Sequence, residues 1–299
     1  MKGLKISAVI GLILFSVTAF LPQFHFVITL LKSMALPIGI ATFLIGIIYL
    51  LFKKKLFAGL FMLVSLSFIA QIEFWNWEKH EYSKQIDLRI AHINVLKFNK
   101  KHDDLLEDLD ELAECDIISF QEVDFAWSQD ILAKLQVEFP HIVNHPREDC
   151  YGLMVLSKKP FVSHHIHNPE GLPQVEIELS INSQPTSLVF MHASTPMNSV
   201  KHKRRNKQLK SIEQLENKPA FVVGDFNSVT WDEHIKSMKK ANFLRDSRNA
   251  YQGTYPSQFF LKIPIDYIFY NQNWACSSFQ VLKKSTSDHL GIIGTYYLK

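Results

Sequence analysis

The stretch Ala220-Phe221-Val222-Val223-Gly224-Asp225-Phe226-Asn227 decides how this chain is read. Four consecutive apolar residues reach a glycine, and a carboxylate and an amide follow at once. A short apolar run without alternation reads as a strand buried on both faces. Polar side chains at the end of such a strand stand where a rigid scaffold presents chemistry.

The arrangement recurs outward in both directions. Asn94 closes an apolar run over residues 87–95, and Gln121 and Glu122 follow 116–120. His192 closes 187–192, Asp266 sits inside 265–269, and Asp288 and His289 precede 290–297. Any one of these is explained as a turn residue, since Asp and Asn favour turns by local hydrogen bonding. Six strand-end positions all drawn from carboxylate, amide and imidazole are not explained that way. Further strands are predicted over 152–157 and 175–181. Helices are predicted over 103–115 (Asp103 as cap; Leu105, Leu106, Leu109 and Leu112 as apolar stripe), 127–138, 200–216 and 231–241. Strands outnumber helices and mix with them along the chain, which predicts packed sheets covered by helices.

The polar set makes chemical sense for phosphate esters. Hard cations such as Mg²⁺ take oxygen ligands, often one or two carboxylates. Glu122 and Asp288 can supply the carboxylates and Asn94 a neutral oxygen. Hydrolysis also needs an activated water and stabilisation of charge on the phosphoryl oxygens. Asp225 is a candidate base, Asn227 a candidate donor, and His192 and His289 candidate donors to phosphate. No residue reads as a covalent nucleophile. Ser287-Asp288-His289 is not a triad by adjacency, because neighbouring side chains in extended chain diverge.

Taken in order, Asn94, Gln121-Glu122, Tyr151-Gly152, Leu156-Ser157, His192, Gly224-Asp225-Phe226-Asn227, Ile265-Asp266-Tyr267-Ile268 and Ser287-Asp288-His289 resemble the endonuclease/exonuclease/phosphatase superfamily. The resemblance covers about residues 88–297. It implies a DNase I-like two-sheet α/β sandwich with the site at one edge of the sheets. It implies Glu122 as the main Mg²⁺ ligand (Mn²⁺ being the alternative ion), with Asn94 and Asp288 nearby. It implies Asp225 and Asn227 at the attacking water, His289 paired with Asp266 beside the phosphate, and His192 on the phosphate side. One departure matters: Leu96 stands where some DNA-repair members carry an acidic residue, which favours a phosphatase or phosphodiesterase branch.

The first 72 residues are different in kind. They contain no Asp, Glu or Arg, and their only charges are Lys2, Lys5, Lys32, Lys53, Lys54 and Lys55. All 29 acidic residues lie after Ile72, against 26 of the 32 basic ones, so the remainder is mildly acidic, near −3. That balance disfavours general nucleic-acid binding, which uses a basic surface. Apolar runs over 6–21, 26–52 and 56–72 predict about three transmembrane helices. The first and third are short against the roughly 20 residues a bilayer needs. A signal peptide is the rival for the first run, and buried soluble helices are the rival for all three. The chain thus divides into an anchor (1–72), a polar linker (73–86) and a catalytic domain (87–299). Such spans before such a domain resemble the membrane-bound bacterial members related to the VanJ-type teicoplanin-resistance proteins.

Lysines precede the first run and fill the connection at 53–55, whereas the loop around 22–25 has no Lys or Arg. The positive-inside rule then places residues 73–299 outside the cytoplasm, in a multi-pass inner-membrane protein with Trp75 and Trp77 as interfacial anchors. Cys115, Cys150 and Cys276 lack metal-type spacing and are expected as free buried thiols, one disulfide being the alternative. His164, His165 and His167 read as loop histidines. Lys201, Lys203, Arg204, Arg205, Lys207 and Lys210 read as a basic helical face, either solvated or facing anionic lipid headgroups or a phosphate-rich substrate. Arg204 or Arg205 is a candidate to reach that substrate.

Hydrolysis of a lipid-linked phosphate or pyrophosphate ester is therefore the leading expectation. A tethered nuclease and a catalytically silent phosphate-binding protein are the rivals. The lysine distribution carries a direct test. A reporter that is active only after export should be active when fused at Lys299, and activity of a cytoplasm-only reporter there would reverse the topology.

Overall fold

The computed structural model describes residues 2–72, 74, 79–80, 82–83, 85–107, 110–215, 217 and 219–299. Trp75 and Trp77, most of the charged part of the linker, Leu109 of the expected stripe and Glu216 of the expected helix end lie outside the described residues.

Four helices come first: α1 (Lys2–Thr18), α2 (Phe26–Ser33), α3 (Ala35–Leu51) and α4 (Lys55–Ile69). The apolar run 26–52 is not one helix. It breaks at Met34, and α2 and α3 meet at a bend of 68°. Pro37, in the first turn of α3, explains the break: it has no N–H to donate backward, and its ring excludes the carbonyl four residues earlier. Among the described residues no single helix is long and apolar enough to cross a membrane, though the bent α2–α3 pair passes that test together. Lys53 turns the chain in the left-handed region, and α4 runs back along α3.

The rest forms two six-stranded mixed sheets. In chain order the strands are β1 (Leu88–Asn94), β2 (Ile117–Gln121), β3 (His141–His145), β4 (Leu153–Ser157), β5 (Ser163–His167), β6 (Gln174–Ile181), β7 (Gln184–His192), β8 (Phe221–Asp225), β9 (Leu244–Asp246), β10 (Asp266–Asn271), β11 (Trp274–Val281) and β12 (Ile292–Leu298). The first sheet is ordered β11-β12-β1-β2-β4-β3 and the second β5-β6-β7-β8-β10-β9. Between them lies a dry layer that includes Ile90, Ile117, Val155, Ile177, Phe190, Phe221, Val223, Ile268 and Tyr296.

Helices α5 (His102–Glu107) and α6 (Phe125–Leu135) cover the outside of the first sheet, and α7 (Ser199–Glu213) and α8 (Glu233–Ala241) the outside of the second. Each of the last three is started by a side-chain cap, from Asp124, Asn198 and Asp232 respectively. The expected helix over 103–115 is replaced by α5 and a 3₁₀ turn at Asp110–Glu114. Acidic residues at i,i+4 spacing (Asp103 with Glu107, Glu107 with Glu111) repel along a continuous helix.

Three corrections follow from packing. His164, His165 and His167 lie on edge strand β5, paired with β6, rather than in a loop. Arg205 is not on the exposed basic face of α7 but fully buried. Cys115 and Cys276 are buried free thiols, while Cys150 is free but only half-buried.

The two sheets are clasped at one end. Gln121, fully buried at the end of β2, donates its Nε2 to the Met191 carbonyl of β7 and accepts the Asp225 N–H of β8 at 2.9 Å. Gly224 makes room for this amide. A Cβ at Gly224 would stand 1.9 Å from the Met191 carbonyl oxygen and 2.4 Å from Gln121 Nε2, on a backbone at φ +148°. Gly224→Ala should therefore destabilise the full chain by about 3 kcal/mol, the upper end of what overpacking costs. Denaturant midpoints in detergent would check this, and an unchanged midpoint would show that the clasp can move.

Candidate functional site

Strand register sets the side chains next to one another. His192 of β7 pairs with Asp225 of β8, and Asp225 pairs with Asp266 of β10. In the other sheet His92 pairs with Ser119 and Asn94 with Gln121. All these positions lie at the end of the sandwich that Gln121 closes. Glu122 follows Gln121 in the left-handed region at φ 63°, and Asn227 follows Asp225 at φ 47°. Holding Glu122 there costs on the order of 1 kcal/mol, because its Cβ crowds the next carbonyl.

All eight residues read from the sequence meet in one cluster. Asn94 Nδ2 donates to Glu122 Oε1 at 3.1 Å and to Asp225 Oδ2 at 3.2 Å. Asn227 donates its backbone N–H to Asp225 Oδ1 at 2.8 Å and its Nδ2 to the Ala193 carbonyl at 2.9 Å. His192 Nε2 stands 3.4 Å and His289 Nε2 3.7 Å from Asp225 Oδ2. His289 Nδ1 bonds Asp266 Oδ2 at 2.9 Å. Asp288 is held by its backbone, whose carbonyl accepts the Ser257 N–H at 2.7 Å, and its half-buried carboxyl is near enough to feel the charges of His289, Glu122 and Asp225.

Several residues belong to this cluster that sequence reading passed over. His92 Nε2 bonds the second oxygen of Asp266 at 3.2 Å and its Nδ1 meets Ser119 Oγ at 3.1 Å, so Asp266 lies between two imidazoles. The signal was available: a histidine two positions before Asn94 shares its face of the strand. Tyr255 packs its ring 4.9 Å from that of His289, from a loop without periodicity, so no pattern could have shown it. Tyr151, noted only as part of a motif, covers His192 at 5.1 Å. Arg205 reaches no open space. It bonds Asp232 at 3.0 Å and Ser228 Oγ at 2.9 Å beneath the loop that carries Asn227.

Electrostatics divide the cluster. Burial works against the charged form of His289, but Asp266 and Asp225 outweigh it and raise its pKa to about 10. Burial likewise opposes His192, and its bond to Asp225 again wins, so its pKa is raised. Asp288 is raised by burial and by the like charges of Glu122 and Asp225. Burial and the neighbouring carboxylates raise Tyr255.

The donor set fits a hard divalent cation. Glu122 and Asp288 offer oxygens at a place where like charges already push a carboxyl toward its neutral form, and an added cation removes that repulsion. Asn94 as placed turns its N–H₂ toward Glu122, with Oδ1 accepting the Leu96 N–H at 3.0 Å, so offering oxygen to a cation requires the amide to turn over. Asp225, Asp266 and His289 also bring ligand atoms within 4.8 Å of one another. There, however, both Asp266 oxygens already accept from imidazoles, and one donor is nitrogen.

A model of the endonuclease/exonuclease/phosphatase family matches residues 91–289. The chain belongs to this family. Among solved structures, TDP2 of D. rerio, complexed with a single-strand DNA product, shares 18% identity over 70% of this chain and 98% of its own, with a TM-score of 0.57. Sphingomyelinase C from Streptomyces griseocarneus shares 15% over 70% and 98%, with a TM-score of 0.53. A beta toxin variant from Staphylococcus aureus, solved with bound magnesium ions, shares 18% over 71% and 100%, with a TM-score of 0.55. These likenesses establish the shared two-sheet fold. A search of curated proteins finds no match.

The His289–Asp266 pair predicts a pH window. A pKa raised from 6.5 to about 10 on folding means that its stabilisation is whole below pH 6.5 and is lost progressively as pH rises toward 10. The gap in melting temperature between the parent and Asp266→Asn should be flat up to near neutrality and close between pH 7 and 10. A gap undiminished at pH 10 would refute the ion pair.

Proposed function

We propose that the chain is a membrane-anchored phosphoesterase that uses Mg²⁺, with Mn²⁺ as substitute, to hydrolyse a phosphate or pyrophosphate ester on a lipid-linked substrate outside the cytoplasm. The observation that carries the chemistry is the convergence, from six strand ends, of oxygen donors beside two imidazoles biased toward their protonated forms. Glu122, Asp288 and a turned Asn94 would hold the ion, which supplies positive charge against the phosphoryl oxygens. Asp225 accepts the proton of the attacking water, and Asn227 holds that water and Asp225 in register. His192 and His289 donate to the phosphoryl oxygens, and Asp266 fixes the imidazole of His289 through Nδ1. Nothing in this scheme needs a covalent nucleophile.

Anchoring is supported by the antiparallel apolar pair α3 and α4, with Lys53, Lys54 and Lys55 at its turn and no acidic residue before Ile72. Family relatives whose names concern sphingomyelin and single-strand DNA bracket the substrate choice. The mildly acidic charge after Ile72 and the apolar helices favour a lipid-borne phosphate over DNA.

The test is a screen of the full chain in detergent against DNA, nucleotides, phospholipids and polyprenyl pyrophosphates, with Mg²⁺ and with EDTA. Activity should require the ion and favour the lipid phosphates, and a preference for DNA would install the nuclease reading. Glu122→Gln should weaken Mg²⁺ binding. Asp225→Asn should lower turnover by roughly 10²–10⁴-fold with little change in substrate binding. His289→Ala with Asp266→Asn should be little worse than the worse single change, because residues acting as one unit are not additive. Near-normal Mg²⁺-dependent turnover in Asp225→Asn would sink the mechanism.

A further inference from the structure

The helices that precede the catalytic domain are fastened to it rather than tethered. Gln23 makes a reciprocal pair with the start of α8: its N–H donates to Glu233 Oε1 at 2.8 Å, and its Oε1 accepts the Glu233 N–H at 2.8 Å. Its Nε2 donates to Asp232 Oδ2 at 2.9 Å, the carboxylate that also holds Arg205. Thr29 of α2 meets His202 of α7 at 3.0 Å, and Trp231 Nε1 donates to the Lys32 carbonyl at 2.8 Å. Ala35, Val64, Phe68 and Ile72 pack with Val229, Trp231, Ile263 and Ile265, which immediately flank the site loops. With α3 along a bilayer normal, the 68° bend lays α2 closer to the bilayer plane than to the normal.

Helix α2 and the first turns of α7 border an open groove lined by Phe26, Asn198, Ser199, Val200, Lys201 and Arg204, and the charge of Lys201 reaches Cys150, beside Tyr151. Its apolar lining is Phe26 and Val200, and Val200 is 70% exposed; outside the lining but close to it in sequence, Met197 is 59% and Phe24 72% exposed. A single exposed apolar residue is ordinary, whereas several along one groove mark a ligand or membrane surface. The groove lies next to the site. Arg204 is close enough for its charge to act on the Tyr151 phenol, and the Tyr151 ring covers His192. Only Ala193–Asn198 separates His192 from α7.

We propose that this groove seats the apolar chain of a bilayer-resident phosphate amphiphile whose head lies in the site, with Arg204 and Lys201 drawing the anionic head inward. Cationic Lys201 and Arg204 near Cys150 and Tyr151, apolar Phe26 and Val200 beside them, and continuity with helix α2 match such an amphiphile. A water-soluble phosphate would use only the cationic side chains. The inference rests on the phosphoesterase reading for the identity of the head, but the seat is tested without catalysis.

Full chain in lipid nanodiscs is photolabelled with an alkyl phosphate carrying a diazirine near its tail, and labelled peptides are located by mass spectrometry. Labels should fall on residues 24–27 and 197–204, and Val200→Glu should cut them at least fivefold. Its melting curve is the check on folding, and Val200→Thr, a milder change, should cut labelling less. With hydrolysable alkyl phosphates, the ratio of KM values for short and long chains should fall about tenfold in Val200→Glu. Labelling elsewhere, or unchanged in a folded Val200→Glu, overturns the seat. Groove labelling with no metal-dependent hydrolysis of any ester would keep the seat and sink the phosphoesterase reading.

Discussion

The site exists because one amide holds two sheets together at one end. Gln121 belongs to the first sheet, and its partners, the Met191 carbonyl and the Asp225 N–H, belong to the second. Burying a primary amide without partners would cost on the order of 1–3 kcal/mol. Paired on both ends, the same amide fixes the distance between Asn94 and Glu122 on one side and His192 and Asp225 on the other. Everything chemical in the molecule is defined by that distance, since Asn94 spans it to reach Asp225. The demand for a glycine before Asp225 follows from the same contact.

Below the clasp lies a second fixed point, the buried pair of Arg205 and Asp232. Removing one partner of such a pair strands a charge in the interior and costs roughly 3–5 kcal/mol, although the pair itself adds little net stability. Its value here is positional. Asp232 caps α8 through the His234 N–H, accepts from Ser228 in the loop that carries Asn227, and receives Gln23 from the N-terminal helices. One carboxylate thus ties the site loop, a covering helix and the connection between α1 and α2 into a single unit.

The sequence made the inner strands and the polar set legible for one reason. Strands buried on both faces must be continuously apolar, so Asp225, His192, Glu122 and Asp266 stand out where those runs end or are broken. Edge strands give no such signal. Ser163–His167 exposes most of its side chains, reads as polar, and becomes a strand only through its ladder with β6. Arg205 was misplaced because helical spacing cannot show which arginine of an adjacent pair turns inward. That depends on where Asp232 lies, and Asp232 is distant in sequence. Tyr255 and the seating of α2 are set by tertiary contacts alone. Pro37 signals the break at Met34, but it stands inside an otherwise continuous apolar run whose length alone suggests one helix.

The two imidazoles at Asp225 show how a scaffold built from neutral strands can bias charge. His192 and His289 approach the same carboxylate oxygen from different elements, and each is buried enough that water cannot screen it. Desolvation alone would drive both toward neutrality. Asp266 tips His289 the other way, and can do so because His92 satisfies its remaining oxygen and holds it in place. His192 has no second carboxylate, and its Nδ1 meets no partner among the described residues. The pair is therefore asymmetric: one imidazole is locked by a dedicated counter-charge, and the other depends chiefly on Asp225, with a smaller contribution from Glu122. A group that must keep its proton while charge builds on an adjacent phosphate belongs in the first position, and one that can exchange its proton belongs in the second.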